Sequence, residues 1–187
     1  ACWTCRELLR RLKLRGHHTY YPDRALVNSP RPLQCYSPSF QPRFALISFS
    51  DRPVLHAITR PSLHRFNAAH PGRYELLLES EPLLDARDFH PAWNKLAYVR
   101  RALVVGRYDA VVCVDDDVLI TEPFRDPIYM AVNDLLHQPS KLLLASLDDY
   151  VGNARVPLNM GIFAVRGGPR GLDLVDEFLR IGRRLRL

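Results

Sequence analysis

Residues 109–114, DAVVCV, run through five apolar positions without polar alternation, and three aspartates, Asp115, Asp116 and Asp117, follow at once. A strand with one wet face alternates; a strand that does not is buried on both faces, as at the centre of a parallel sheet. Such a strand needs a layer of structure on each side. No other stretch of the chain restricts the fold as much.

The flanking sequence supplies those layers. RFALISFS (43–50) reads as a strand, closed by Asp51 and Pro53 before a helical stretch that runs to about His70. The Pro-Gly pair at 71–72 is a turn, and RYELLLES (73–80) is a second strand. HPAWNKLAYVRRALVVG (90–106) predicts a helix, with Pro91 in its first turn, Gly106 at its end and an apolar stripe through Trp93, Leu96, Val99 and Leu103. A helix over 124–137, strands over 141–147 and 159–165, and an amphipathic helix over 171–185 complete the pattern. Strands alternating with helices predict an α/β layered domain, and no internal repeat interrupts it.

Before residue 44 the composition changes. Five prolines fall between Tyr21 and Arg43, and residues 1–43 carry eight Lys/Arg against Glu7 and Asp23, a net +6. The remaining residues balance, 18 against 18, so the +6 of the whole chain belongs to this segment. Residues 1–43 therefore read as a basic, Pro-rich stem or linker and 44–187 as the main domain. The basic excess lies outside that domain and is not interleaved with aromatics, which argues against nucleic acid as a partner. No apolar run approaches the roughly 18 residues of a membrane-spanning helix. Ala1 opens the chain without an initiator Met, so a fragment or processed chain is expected, with membrane contact only through an anchor upstream. Cys2 and Cys5 form a lone C-x-x-C without the second ligand pair that zinc needs, and Cys113 reads as a small core residue.

The three acids stand at the carboxyl end of the strand expected to be most buried, where open α/β sheets bind ligands. In extended chain Asp115 and Asp117 point to one side and Asp116 to the other. Two carboxylates on one side suit Mg²⁺ or Mn²⁺, which takes few protein oxygens and completes its shell with phosphate and water. Acids after a strand also cap turns and helices, and that reading stays open here.

The surroundings add to the motif. Trp93-Asn94-Lys95 opens the helix leading to YDAVVCVDDDVLI, and PLNMGIFAVRGG follows about 40 residues later. This order resembles the GT-A glycosyltransferases, and among them the yeast α-galactosyl and α-mannosyl transferases and plant xyloglucan xylosyltransferases. That family has a Trp-x-Lys helix, a strand ending in Asp-x-Asp, and Leu-Asn-x-Gly-x-Phe followed by Arg and a long helix. The likeness covers roughly residues 44–185.

The resemblance implies a single GT-A (Rossmann-like) nucleotide-diphospho-sugar transferase domain. It implies that Asp115 and Asp117 hold Mn²⁺ or Mg²⁺ and that Lys95, Asp115, Asp116, Asn159 and Gly161 bind the donor. Asp148 and Asp149 would address sugar or acceptor, and Ser48 and Ser50 would lie near the nucleotide base. The partners implied are a nucleotide diphosphate sugar and a glycan or glycoprotein acceptor, with retention of anomeric configuration, in the Golgi or ER lumen. Such enzymes often take a later metal ligand, commonly His, from a C-terminal segment; His56, His64, His70, His90 and His137 all precede that place, so a domain truncated at its C-terminus is expected. No residue is assigned as a catalytic base. Two alternatives accompany this reading: an inactive glycosyltransferase-like binding module, and a Mg²⁺-dependent phosphohydrolase, for which the downstream Lys and acid motifs are not found.

Overall fold

The chain is described by a computed structural model over residues 42–146 and 159–185. Residues 1–41 of the expected stem, and Asp148 and Asp149, lie outside the described residues. The elements in chain order are β1 (Phe44–Phe49), α1 (Pro53–Ala69), β2 (Tyr74–Glu79), α2 (Asn94–Val105), β3 (Ala110–Val114), α3 (Pro127–Leu136), β4 (Leu143–Ser146), β5 (Asn159–Arg166) and α4 (Pro169–Leu185).

The run AVVCV is buried at all its positions and forms the middle strand of a sheet ordered β2–β1–β3–β5–β4. On one face, Ile47, Val111, Cys113 and Phe163 pack against Trp93, Leu96 and Val99 of the α2 region and Val175 and Phe178 of α4. On the other, Leu46, Val112, Val114 and Ala164 meet Leu63 and Phe66 of α1 and Val132 and Leu135 of α3. Each fully buried valine contributes about 1.5–3 kcal/mol, so a strand with helices on both sides has no position to give to a polar residue. Burial pushes the Cys113 thiol up to about 12, in keeping with a core residue and not a nucleophile.

One expectation is corrected. The sheet is mixed: β1 is parallel to β2 and to β3, whereas β5 is antiparallel to β3 and to β4. A continuous apolar run reports burial on both faces and carries no information about the direction of the neighbouring strand.

Local chemistry sets the element ends. Pro53 occupies the first turn of α1, where its missing N–H costs nothing, and Pro61 lies inside the helix, which continues past it. The helix expected over 90–106 begins as a 3-10 turn, Pro91–Trp93, and becomes α-helical at Asn94. Asn94 is buried; its Oδ1 accepts from the backbone N–H of Leu83 and Leu84 at 2.7 and 2.9 Å, which ties the β2–α2 connection to the start of α2. Gly106 ends α2 at φ 71°, a left-handed conformation that favours glycine. Asp126 caps α3 by accepting from Tyr129 N–H at 2.8 Å. No helix among the described residues is long and apolar enough to cross a membrane.

Candidate functional site

A helix that leads into a strand and packs on it runs back along it, so the start of α2 meets the finish of β3. Lys95 is the second residue of α2, and its Nζ donates to Asp115 Oδ1 at 2.7 Å and to the Met160 carbonyl at 3.0 Å. The antiparallel β5 supplies the third part. Asp115 N–H donates to the Gly161 carbonyl at 2.7 Å, continuing the β3–β5 ladder one step past Val114. Asn159 Oδ1 in turn accepts from Gly161 N–H at 2.7 Å. Lys95, Asp115, Asn159 and Gly161, distant in sequence, thus converge at one edge of the sheet.

Gly161 lets the Asn159 carboxamide fold against the edge. A Cβ there would lie 2.9 Å from Asn159 Oδ1 and 3.8 Å from Asp115 Oδ2. The absent side chain leaves room beside the carboxylate oxygen that Lys95 does not use.

Asp116 turns the other way. Its side chain is 8% exposed, and it meets the segment after β1, whose end shares the carboxyl edge because β1 and β3 are parallel. Ser50 Oγ donates to Asp116 Oδ2, Arg52 Nε donates to the same oxygen at 3.1 Å, and Arg52 Nη2 donates to Oδ1. Arg52 N–H donates to Ser50 Oγ at 3.0 Å. Asp117 stands exposed in the turn that Val118 N–H closes onto the Asp115 carbonyl at 3.2 Å. Ser48 is fully buried, with no hydrogen-bond partner for its hydroxyl among the described residues.

The electrostatics separate the first two acids. Burial pushes the Asp115 carboxyl up; Lys95 opposes this, Asp117 and Asp116 add to it, and the group stays above its usual range. Burial also pushes Asp116 up, but the hydrogen bonds from Arg52 and Ser50 outweigh it and hold the group below the usual range. Asp116 is satisfied where it is. Asp115 still gains from positive charge.

The fold is similar to that of a glycosyltransferase. A solved structure, the crystal structure of a glycosyltransferase involved in the glycosylation of the major capsid of PBCV-1, superimposes with a TM-score of 0.60 at 15% sequence identity, covering 75% of this chain and 67% of that one. No protein-family model matches the chain, and no curated protein matches it.

The donor set fits a hard divalent cation. Asp115 Oδ2 and the exposed Asp117 carboxylate are oxygen ligands of the kind Mg²⁺ and Mn²⁺ take. Among the described residues no group of three or more His, Cys, Asp or Glu side chains is arranged around one point to hold a metal. Phosphate and water would have to complete the shell, as is usual for Mg²⁺. A cavity of about 160 Å³, lined by Ile47, Leu77, Glu79, Tyr98 and Ala102 among others, touches none of the three aspartates.

Arg52 and the Met160 carbonyl were not foreseen. The signal for Arg52 was present: Ser50-Asp51-Arg52 follows an apolar strand just as Asp115–Asp117 does, and parallel neighbours bring two such segments to the same edge.

Proposed function

We propose that the chain is a glycosyltransferase that moves a sugar from a nucleotide diphosphate sugar to a hydroxyl of a glycan or glycoprotein, with Mn²⁺ or Mg²⁺ bound by Asp115 and Asp117. The observation that carries this reading is Asp115, fixed by Lys95 beside Gly161, at the carboxyl end of the central strand in a fold shared with a glycosyltransferase. The metal, when bound, supplies positive charge for the departing nucleotide diphosphate, the main charge to develop in the transition state. Lys95 contributes a second cation on the same flank and holds the Asp115 carboxylate in place. Gly161 gives the donor sugar backbone clearance, while Asn159 fixes the turn of chain that presents Gly161.

Likeness to the yeast and plant retaining enzymes supports retention of anomeric configuration. It is also the sole support for a Golgi or ER lumen setting. The lack of a third protein ligand for the metal among the described residues favours a second reading, a module that binds nucleotide sugar without transferring it.

The test is calorimetric titration of uridine and guanosine diphosphate sugars with and without Mn²⁺, comparing the protein with its Asp117→Ala variant. Binding that needs Mn²⁺ and disappears in the variant is expected, and sugar transfer to added acceptors then separates enzyme from module. Equal donor binding by a folded Asp117→Ala variant would remove the metal assignment.

A further inference from the structure

Asp116, the middle acid, has no surface to offer a ligand: its side chain is 8% exposed and both its oxygens are engaged by Ser50 and Arg52. Its partner does. The Arg52 side chain is 57% exposed, and its bonds to Asp116 run from Nε and Nη2, leaving the Nη1 edge uncommitted to that carboxylate. Two of its nitrogens are fixed on a buried carboxylate, so the guanidinium plane is set before any ligand arrives. Most exposed arginines have no such anchor, and a loose one contributes little to a charged contact because ordering it costs side-chain entropy. The acid turn therefore has a cation on each flank, Lys95 on Asp115 and Arg52 on Asp116.

We propose that Asp116 is a positioning residue that presents Arg52 to the phosphates of the nucleotide donor. The inference rests on the glycosyl-transfer reading above and gives that site its second phosphate-binding side chain, from the β1–α1 connection. A fixed fork with an uncommitted edge suits phosphate oxygens, whereas a nucleoside offers it no anion. Ser50 completes the device: its hydroxyl bonds to Asp116 and to Arg52 N–H, so the side chain and backbone of the Arg52 segment are held by one carboxylate.

The experiment measures Mn²⁺-dependent binding of uridine and guanosine diphosphates, and of the corresponding nucleosides, by the full chain. Arg52→Gln, Arg52→Lys, Asp116→Asn and the double variant Arg52→Gln/Asp116→Asn are compared. For whichever diphosphate the protein binds, Arg52→Gln is expected to weaken affinity by about tenfold or more, the size of a lost hydrogen bond to a charged group. Nucleoside affinity should not move, and Arg52→Lys should recover part of the loss. Asp116→Asn should weaken the diphosphate too, and the double variant should be no weaker than Arg52→Gln alone, because Asp116 acts through Arg52. Far-ultraviolet dichroism confirms that each variant is folded; should Asp116→Asn not fold, the Arg52 pair decides. An unchanged diphosphate affinity in Arg52→Gln, an equal loss for nucleoside and diphosphate, or additive losses in the double variant would each overturn the proposal while leaving the donor site standing. No Mn²⁺-dependent binding of either diphosphate by the unmodified protein overturns the donor reading itself, and this inference with it.

Discussion

Lys95→Met removes the ammonium and keeps most of the stem, so it isolates the charge. The Lys95 side chain is 19% exposed and that of Asp115 is 30% exposed, with Nζ 2.7 Å from the carboxylate and 3.0 Å from the Met160 carbonyl. Breaking a fully buried pair by removing one partner costs about 3–5 kcal/mol, and an exposed pair is worth about 1 kcal/mol or less. This pair lies between those limits, and the variant also leaves a carbonyl unpaired, so a loss of about 2 kcal/mol is expected. With a urea slope of about 1–3 kcal/mol per molar, the unfolding midpoint should drop by roughly 1 M. The Lys95→Met/Asp115→Asn double variant should regain part of that, giving a coupling of about 1 kcal/mol or more. Ligand binding adds a test of sign. The Lys95 charge repels a cation on the other oxygen of the same carboxylate, so Mn²⁺ alone should bind Lys95→Met more tightly, while Mn²⁺ with nucleoside diphosphate should bind it more weakly. An unmoved midpoint with no coupling would refute the ion-pair argument, and weaker binding of Mn²⁺ alone would show that the hold Lys95 keeps on the carboxylate outweighs its repulsion of the metal.

Two further predictions test the framework around the site. A Cβ at Gly182 of α4 would lie 2.6–2.8 Å from the Trp93 ring, which is itself buried, so Gly182→Ala should cost about 1–3 kcal/mol; thermal unfolding that is unchanged would mean that α4 shifts freely on α2. His56 is buried and its Nε2 accepts from Arg60 Nε at 2.7 Å, and burial first, then the Arg60 charge, lowers its pKa below the ordinary 6.5. The unfolded chain then binds the proton more readily, so this contribution to stability is full above about pH 6.5 and is lost as pH falls through the lower folded value. Urea midpoints measured between pH 7.5 and 5.5 should fall less steeply in His56→Gln than in the unmodified protein; equal slopes would show that His56 is not the group responsible.

What could be read from the sequence follows from where the information lies. Ala110–Val114 announces its own burial because each residue had to be apolar, whichever strand came to lie beside it. Strand direction is a property of connections and not of the run itself, so the expected parallel surroundings became a mixed sheet. That same antiparallel strand is what brings Asn159 and Gly161 to Asp115; their meeting was expected only from motif order, because the spacing itself says nothing about the pairing of Val114 with Ile162. The period-two rule sent Asp115 and Asp116 to opposite sides correctly, but β3 ends at Val114 and the acids lie in a turn, so the rule cannot be extended to Asp117. Arg52 is the instructive omission. A lone arginine after a strand has no periodicity to betray it, and it gains meaning only when a parallel neighbour ends in acids at the same edge. Three adjacent carboxylates repel one another, so their compensation has to come from elsewhere in the chain: Lys95 answers Asp115 and Arg52 answers Asp116. The exposed Asp117 has no such ion pair among the described residues.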